Sequence, residues 1–380
     1  MNQSVEKKSH PKGLYILFAT EMWERFNFYG MRSILVLFMT RALLFDHVFA
    51  SNLYGSYLSL VYLTPLLGGF IADRYWGNSR SIIAGGIVMA VGEFILFFCG
   101  TLYKTAPDIS TLLFFSGLGL MIAGNGFFKP NISSLVGQLY PKDDHRKDAA
   151  YTIFYMGINT GGMIGPFVCG LVGETKNPGD FRWSFLVGGI GMIISIIVQM
   201  LFQKKYVVDP DKNLLGTIPK NAPKVLLNPV VTILGMGVLS AACIGLFYLD
   251  AKYNYLFYLL LACIIIIPAI IFSDKTLNAS QKNQVAVIFI VCFFVIFFWS
   301  AFEQAGASLT FFASDQTDRS ANLAVPAWVI SLISVGIIYF VFRLFKKAAK
   351  NLASEFDKAL RLTVHGLLSL LVAALIITNI

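Results

Sequence analysis

Charge is scarce in this sequence. Only 13% of its 380 residues are Asp, Glu, Lys or Arg, while 56% are hydrophobic. With a mean hydropathy of +0.68, a soluble domain is excluded, because too little polar surface would remain to cover its core. Cysteine is sparse as well. Cys99, Cys169, Cys243, Cys263 and Cys292 sit singly in apolar runs without a C-x-x-C, which reads as packing rather than disulfide or metal binding. The four histidines are scattered without ligand spacing. The loops hold no D-x-D and no His-rich cluster, so an integral-membrane enzyme such as a lipid-linked transferase finds no support, and no metal or cofactor is expected. A cleavable signal peptide is not expected either, since the polar start MNQSVEKKSHPKG leads into an apolar run far longer than a signal h-region.

What is abundant is the long apolar run. Eleven stretches approach the roughly 20 residues that cross a bilayer. They are Gly13–Phe45, Asn52–Ala72, Ser81–Tyr103, Thr111–Leu139, Ala149–Gly173, Trp183–Phe202, Pro229–Leu249, Tyr253–Phe272, Gln284–Ala313, Val325–Phe345 and Leu362–Ile380. Most are too continuous for barrel strands, and lipid requires the backbone to be satisfied within each segment. The expected fold is therefore an all-α integral membrane protein.

The basic residues predict its orientation. With the N-terminus cytoplasmic, twenty-one lysines and arginines fall on the inside and six outside, the asymmetry of a protein inserted that way round. The formal net charge of +9 is mostly this bias, and a nucleic-acid surface is the weaker reading of it. The expected location is the cell (inner or plasma) membrane, crossed many times.

Residues 13–204 form a six-helix set, 205–228 a Pro- and Lys-rich cytoplasmic linker, 229–272 two accessory helices without interior acids or bases, and 283–380 part of a second set. After the second span comes GFIADRYWGNSR, with Gly69, Asp73, Arg74, Gly77 and Arg80 at G-x-x-x-D-R-x-x-G-x-x-R spacing. A tight cytoplasmic turn docked on neighbouring helix ends is expected there. Six helices, a linker and the start of another set suggest the two-halved major facilitator bundle, with a substrate site near the midplane.

Ionisable residues at membrane depth are costly, about 2.5–3.5 kcal/mol on insertion scales, and normally face a cavity or a partner. The candidates are Glu21, Glu24, Arg25, Arg32, Glu93, Lys129 and Glu303. On a helical wheel with Glu21 at zero, Arg32 lies near 20°, Arg25 near 40°, Tyr29 near 80° and Glu24 near 300°, an arc of about 140°. Glu21 and Arg25 are an i, i+4 pair with the acid first, the favoured order. The stripe reads either as a cavity wall binding protons and a charged solute or as an interhelical salt-bridge cluster. In GLGLMIAGNGFFKPNISS, Gly117, Gly119, Gly124 and Gly126 permit close helix approach, and Lys129 projects beyond them. Either a Lys129–Glu303 or an Arg32–Glu303 pair would join the two sets, and protonating Glu303 would release it. Lys129 also reads as a helix-end residue reaching toward the interface. Glu93 has no partner in its neighbourhood and is assigned a structural role.

These residues together resemble the proton-dependent oligopeptide transporter (POT/PTR, peptide transporter) family of the major facilitator superfamily. EMWERFNFYG is similar to that family's E-x-x-E-R-F-x-Y-Y-G signature through Glu21, Glu24, Arg25, Phe26, Tyr29 and Gly30. FYMGINTGG resembles its F-Y-x-x-I-N-x-G signature, and Lys129 and WSAFEQAG, with Trp299 and Glu303, also match. The resemblance implies proton-coupled symport of di- and tripeptides by alternating access, driven by the proton gradient with no cofactor. It implies proton coupling by Glu21, Glu24, Arg25 and Glu303. Substrate would be bound by Arg25, Tyr29, Tyr62, Lys129, Asn159 and Trp299, and gating would fall to Arg32, Lys129 and Glu303. The expected partners are small peptides, protons and lipid. A zwitterionic peptide needs fixed opposite charges for its ends and adaptable aromatic walls between them. Two departures stand out. Phe28 replaces a tyrosine, and VPAWVISLISVGII stands where the family carries F-Q-S-x-N-P. A C-terminally shortened member is therefore expected, with a non-transporting form or another small solute, such as nitrate or amino acids, as alternatives.

Overall fold

A computed structural model of the chain describes residues 9–219, 222–223 and 228–318 and the single positions 339 and 343. The chain forms two compact units, residues 1–316 and 317–380. In the second, Tyr339 and Arg343 are helical. The expected spans Val325–Phe345, apart from those two positions, and Leu362–Ile380 lie outside the described residues.

The first unit is all-helical, with ten α-helices among the described residues: α1 Lys12–Arg41, α2 His47–Ile71, α3 Asn78–Leu102, α4 Pro107–Gln138, α5 Arg146–Gly173, α6 Phe181–Tyr206, α7 Pro229–Tyr253, α8 Tyr255–Ser273, α9 Ala279–Phe302 and α10 Ser308–Asp315. Eight helical segments, spanning α2 to α10, are long and apolar enough to cross a membrane. The thirty residues of α1 give a comparable length, about 45 Å, and carry the charged stripe.

The ends have local causes. Asp46 caps α2, accepting from Val48 N at 2.9 Å and Phe49 N at 3.0 Å, while Leu44 takes a positive φ of 58°. The first span therefore stops at Arg41 and not at Phe45. The second continues past Ile71 as a π-helical turn, Ala72–Trp76, and ends at Gly77, whose φ is +75°. A side chain at Gly77 would also meet the Gly216 and Thr217 carbonyls. The linker packs on this turn, with Ser79 N donating to Gly216 O at 3.0 Å. The expected single span Gln284–Ala313 is broken. Helix α9 ends at Phe302, a 3-10 turn covers Glu303–Gly306, and α10 follows. Gly306 sits so close to the Tyr54 hydroxyl that a Cβ there would overlap it.

Helices α1 to α6 form the packed bundle. Helices α3 and α4 meet backbone to backbone, since a Cβ on Gly85 would lie 2.5 Å from Gly124 O and one on Gly124 2.5 Å from Gly85 O. A Cβ on Gly161 of α5 would likewise overlap the Met22 carbonyl of α1. Small residues permit this approach, and dispersion and polar contacts then hold helices that lipid would otherwise separate. The fully buried rings of Phe38, Phe114, Phe181 and Phe185 close one end of the bundle. Of the two accessory helices, α7 braces the bundle through Phe247, between Tyr57 and Phe115. Helix α8 buries only Leu256.

Candidate functional site

Helix α1 positions the site, and its rotation is set by residues flanking the stripe. Thr20 and Asn27 lie near 260° and 240° on the wheel that puts Glu21 at zero, just beyond Glu24 at one edge of the charged stripe. Thr20 Oγ1 donates to Gln199 Oε1 of α6 at 3.1 Å, and Ser195 Oγ donates to Thr20 O at 2.6 Å. Asn27 Nδ2 donates to Glu93 Oε1 of α3 at 2.7 Å. Glu93 is therefore partnered, contrary to the sequence expectation. Its partner is a neutral amide within the charged motif itself, which a search for opposite charge passes over. With these bonds made, the stripe is turned toward α2, α4 and α9.

At the centre of the stripe, Arg25 Nε lies 2.9 Å from Glu21 Oε1 and 2.5 Å from Glu24 Oε2. All three residues are at most 3% exposed. The contacts are ion pairs by distance, but the N–H is not directed along them. Arg25 Nε and Nη2, Glu21 Oε2 and Glu24 Oε2 make no hydrogen bond. Asn125 of α4 donates to Glu24 Oε1 at 3.2 Å. Phe28, the departure from the family signature, is buried with its ring centre 5.2 Å from the Arg25 guanidinium. It thus offers a π face where a tyrosine would add a hydroxyl.

With every group ionised, the Glu21–Arg25–Glu24 cluster carries one net negative charge, and Lys129 of α4 balances it. Lys129 attracts both carboxylates and is repelled by Arg25, yet no described carboxylate lies within ion-pair distance of it. Its Nζ rests instead 4.5 Å above the Tyr62 ring.

Two turns along α1, Arg32 forms the second layer. Its Nη2 pairs with Glu303 Oε2 and its Nε donates to the Tyr54 hydroxyl. The rings of Tyr54 and Tyr29 lie 5.6 and 5.9 Å from its guanidinium. Of the two pairings open to Glu303, Arg32–Glu303 is the one formed and Lys129–Glu303 is not. Arg32 is 3.6-periodic with the stripe and reaches Glu303 directly, while the Lys129 ammonium is turned to Tyr62.

A third layer, not visible in the sequence, lies at the end of α1. Arg41 donates to Ser314 Oγ at 2.5 Å and lies 3.6 Å from Glu174. His47 stacks on Phe311 with ring centres 4.2 Å apart and planes 4° from parallel. No motif marks these residues, because they belong to the ends of separate helices, α1, α2, α5 and α10, that meet only in the folded chain.

The structure thus gathers Glu21, Glu24, Arg25, Tyr29, Arg32, Tyr62, Lys129 and Glu303. Asn159 and Trp299 are exposed, and their described contacts stay within their own helices. Asn159 donates to Tyr155 O at 2.9 Å, and Trp299 packs edge-on against Phe298 and Phe302. Among the described residues no cluster of His, Cys, Asp or Glu suited to a metal ion occurs.

A bundle of glycine-packed helices, most of them long and apolar enough to cross a membrane, with a buried charged stripe on α1, agrees with the major facilitator-type fold expected from the sequence. The comparisons agree. Residues 79–378 match the family described as "PTR2: POT family", and the chain belongs to that family. It is 32% identical over 345 residues to the peptide transporter YePEPT of Yersinia enterocolitica, covering 87% of this chain and 65% of that protein. To a di-/tripeptide transporter of Lactococcus lactis it is 32% identical over 336 residues, covering 84% and 63%. An uncharacterised transporter of Bacillus subtilis, YclF, is 32% identical over 345 residues, with 66% of its length covered. The chain therefore spans a little under two thirds of these relatives. Its fold is similar to a crystal structure of a peptide transporter POT in complex with sulfate, with TM-score 0.67, 29% identity, and 92% of this chain and 72% of that one covered. It is similar also to a POT family transporter in complex with 5-aminolevulinic acid, with TM-score 0.67, 26% identity, and coverage of 89% and 71%.

Proposed function

We propose that the chain carries out proton-coupled symport of di- and tripeptides across the inner (plasma) membrane, with its N-terminus cytoplasmic. The observation that carries this reading is one helix holding both a buried Glu21–Arg25–Glu24 cluster and, two turns on, the Arg32–Glu303 pair. The names of the Yersinia and Lactococcus relatives support the substrate class.

In this reading the peptide carboxylate approaches Arg25 and Lys129, whose positive charges face one space beside Tyr29 and Tyr62. A carboxylate arriving there competes with Glu21 and Glu24 for Arg25, and a proton taken up by either glutamate lowers that competition. Proton and peptide then favour one another, as linkage between two sites requires. Glu303 acts at the gate. A proton on its carboxylate removes the charge that holds Arg32, so α9 is released from α1 and the two sides of the site can part. Asn159 and Trp299 complete the wall in another state of the cycle. The cycle uses the proton gradient alone, without a cofactor, and makes or breaks no covalent bond, so the chain is not an enzyme.

Uptake of a labelled dipeptide into proteoliposomes with an acidic exterior tests the proposal. Uptake that collapses when the gradient is dissipated, and falls at least about tenfold in Lys129→Ala and Glu303→Gln, is the expected result. Well-folded protein that accumulates no dipeptide would remove it.

A further inference from the structure

Beside the charged stripe, α1 meets α3 through a pair that the proposed transport cycle does not use. Asn27 and Glu93 are both fully buried, and Asn27 Nδ2 donates to Glu93 Oε1 at 2.7 Å. The other oxygen of each group is left over. Glu93 Oε2 and Asn27 Oδ1 are sealed from solvent, and neither makes a hydrogen bond. An ionised carboxylate can only accept, and so can the oxygen of an amide. With Glu93 ionised, one buried pair would therefore hold two unsatisfied acceptors, each at the cost of its desolvation.

The neighbouring helices supply neither a counter-charge nor the missing donor. Among the described residues, no lysine, arginine or histidine forms an ion pair with Glu93. On α1, Glu21, Arg25 and Glu24 are engaged with one another. From α6, Gly188 covers the pair, since a Cβ there would stand 3.3 Å from Asn27 Nδ2 and 3.4 Å from Glu93 Oε1. From α2, Tyr57 is close enough to sense a charge on Glu93, but its buried hydroxyl makes no hydrogen bond. From α5, Cys169 senses that charge as well, and its thiol donates to Ser184 O at 3.7 Å. At this level α4 presents Gly117 and Met121 to α3, and neither titrates.

A buried acid without a counter-ion takes up a proton instead of keeping its charge. Here a proton on Oε2 also satisfies both leftover oxygens. The acid O–H donates to Asn27 Oδ1 while Asn27 Nδ2 donates to Oε1, closing a ring of two hydrogen bonds between a neutral acid and a neutral amide.

We infer that Glu93 is a further proton-binding site, occupied at neutral pH, whose acid–amide ring with Asn27 holds α1 against α3. The proton comes from water as the chain folds and forms one O–H bond, and no other bond changes. Glu93 is thus a positioning residue for the helix that carries the stripe, and the joint it makes has no charge of its own. Its proton is distinct from those that the symport reading assigns to Glu21, Glu24 and Glu303.

The test is infrared difference spectroscopy on the full chain in a neutral detergent at neutral pH. The spectrum of the parent minus that of Glu93→Gln is expected to show the C=O stretch of a protonated carboxyl and no carboxylate bands. That stretch should move in Asn27→Leu, which takes away its acceptor. The glutamine variant can close the same ring, its amide N–H donating to Asn27 Oδ1 and its oxygen accepting from Asn27 Nδ2. Its thermal unfolding midpoint should therefore stay near the parent's, with that of Glu93→Leu several degrees lower. Carboxylate bands lost in Glu93→Gln, a stretch indifferent to Asn27→Leu, or a Glu93→Gln midpoint as low as that of Glu93→Leu would each overturn the inference. None of these readouts involves transport, so the result stands or fails apart from the symport reading.

Discussion

Arg32 of α1 holds Glu303, at the end of α9, and the Tyr54 hydroxyl of α2 with the same guanidinium. Three helices from distant parts of the sequence are thereby joined through one side chain. The joint sits at the point where α9 gives way to a 3-10 turn, so the pair is made by a backbone break as much as by two charges. Removing the acid leaves Arg32 with Tyr54. Removing the base leaves Glu303 and Tyr54 both without it.

The two variants should therefore differ. Arg32→Ala is expected to cost about 1.5–3 kcal/mol, the range for hydrogen bonds to charged groups, and Glu303→Gln less, because the amide still accepts from Arg32. Thermal unfolding midpoints of the two in one detergent check the order.

Phe28 packs its ring on Arg25. Phe28→Ala loses that face together with a buried ring, a loss of about 3–5 kcal/mol. Phe28→Tyr keeps the ring and restores the hydroxyl of the family signature. Its expected signature is a several-fold change in the dipeptide KM with the unfolding midpoint nearly unchanged, measured by proteoliposome uptake and thermal unfolding in parallel.

Glu93 accepts from Asn27 in a fully buried setting. Glu93→Leu leaves the Asn27 amide unpaired and should cost about 1–3 kcal/mol, whereas replacing both partners by apolar groups is close to neutral. The double variant Asn27→Leu/Glu93→Leu is thus expected to recover most of the stability lost in Glu93→Leu alone. A double-mutant cycle on unfolding midpoints decides it.

Glycine positions separate packing from tolerance. A side chain at Gly161 overlaps the α1 backbone, while one at Gly170 meets nothing within 4 Å. Gly161→Val should lower stability by about 1–3 kcal/mol or more, and Gly170→Val should be near the parent, in the same thermal assay.

The N-terminal docking should respond to pH through His10. Its Nδ1 lies 2.8 Å from the Tyr140 hydroxyl, and burial, then the Arg146 charge, hold its pKa below the ordinary value. The neutral ring is favoured in the folded state, so its contribution is present above about pH 6.5 and is lost as pH falls through the lowered value. Asp144 behaves otherwise. Hydrogen bonds from Arg146 pull its carboxyl down to about 2, so that clamp is complete above about pH 4 and fails only near pH 2. Amide exchange over residues 9–14, corrected for intrinsic rates, should accelerate between pH 7 and 5, and His10→Gln should remove the dependence.

Much of the bundle was legible in advance. Apolar runs located the first eight helices to within a few positions, though not the break in the ninth run, because a bilayer demands about 20 apolar residues and leaves few other ways to satisfy a backbone. The stripe on α1 followed from 3.6-residue periodicity, which tells which side chains share a face. Periodicity does not tell what faces them. Whether Glu303 meets Arg32 or Lys129 depends on where α9 breaks, and beyond the break Gly306 packs directly on the Tyr54 hydroxyl.

The same division holds for the amides. Asn27 and Asn125 are unremarkable letters beside Glu21, Glu24 and Arg25, yet they bond to Glu93 and Glu24. The third layer, where Arg41 meets Ser314 and His47 meets Phe311, has no sequence signal, since each residue reads as an ordinary helix end. By itself the sequence determined the helices, the charged face of α1 and the family, because these follow from hydrophobicity, helical period and motif spacing. Only the tertiary structure decided the partners, because a hydrogen bond or ion pair is a matter of a few ångströms between helices that the chain does not place side by side.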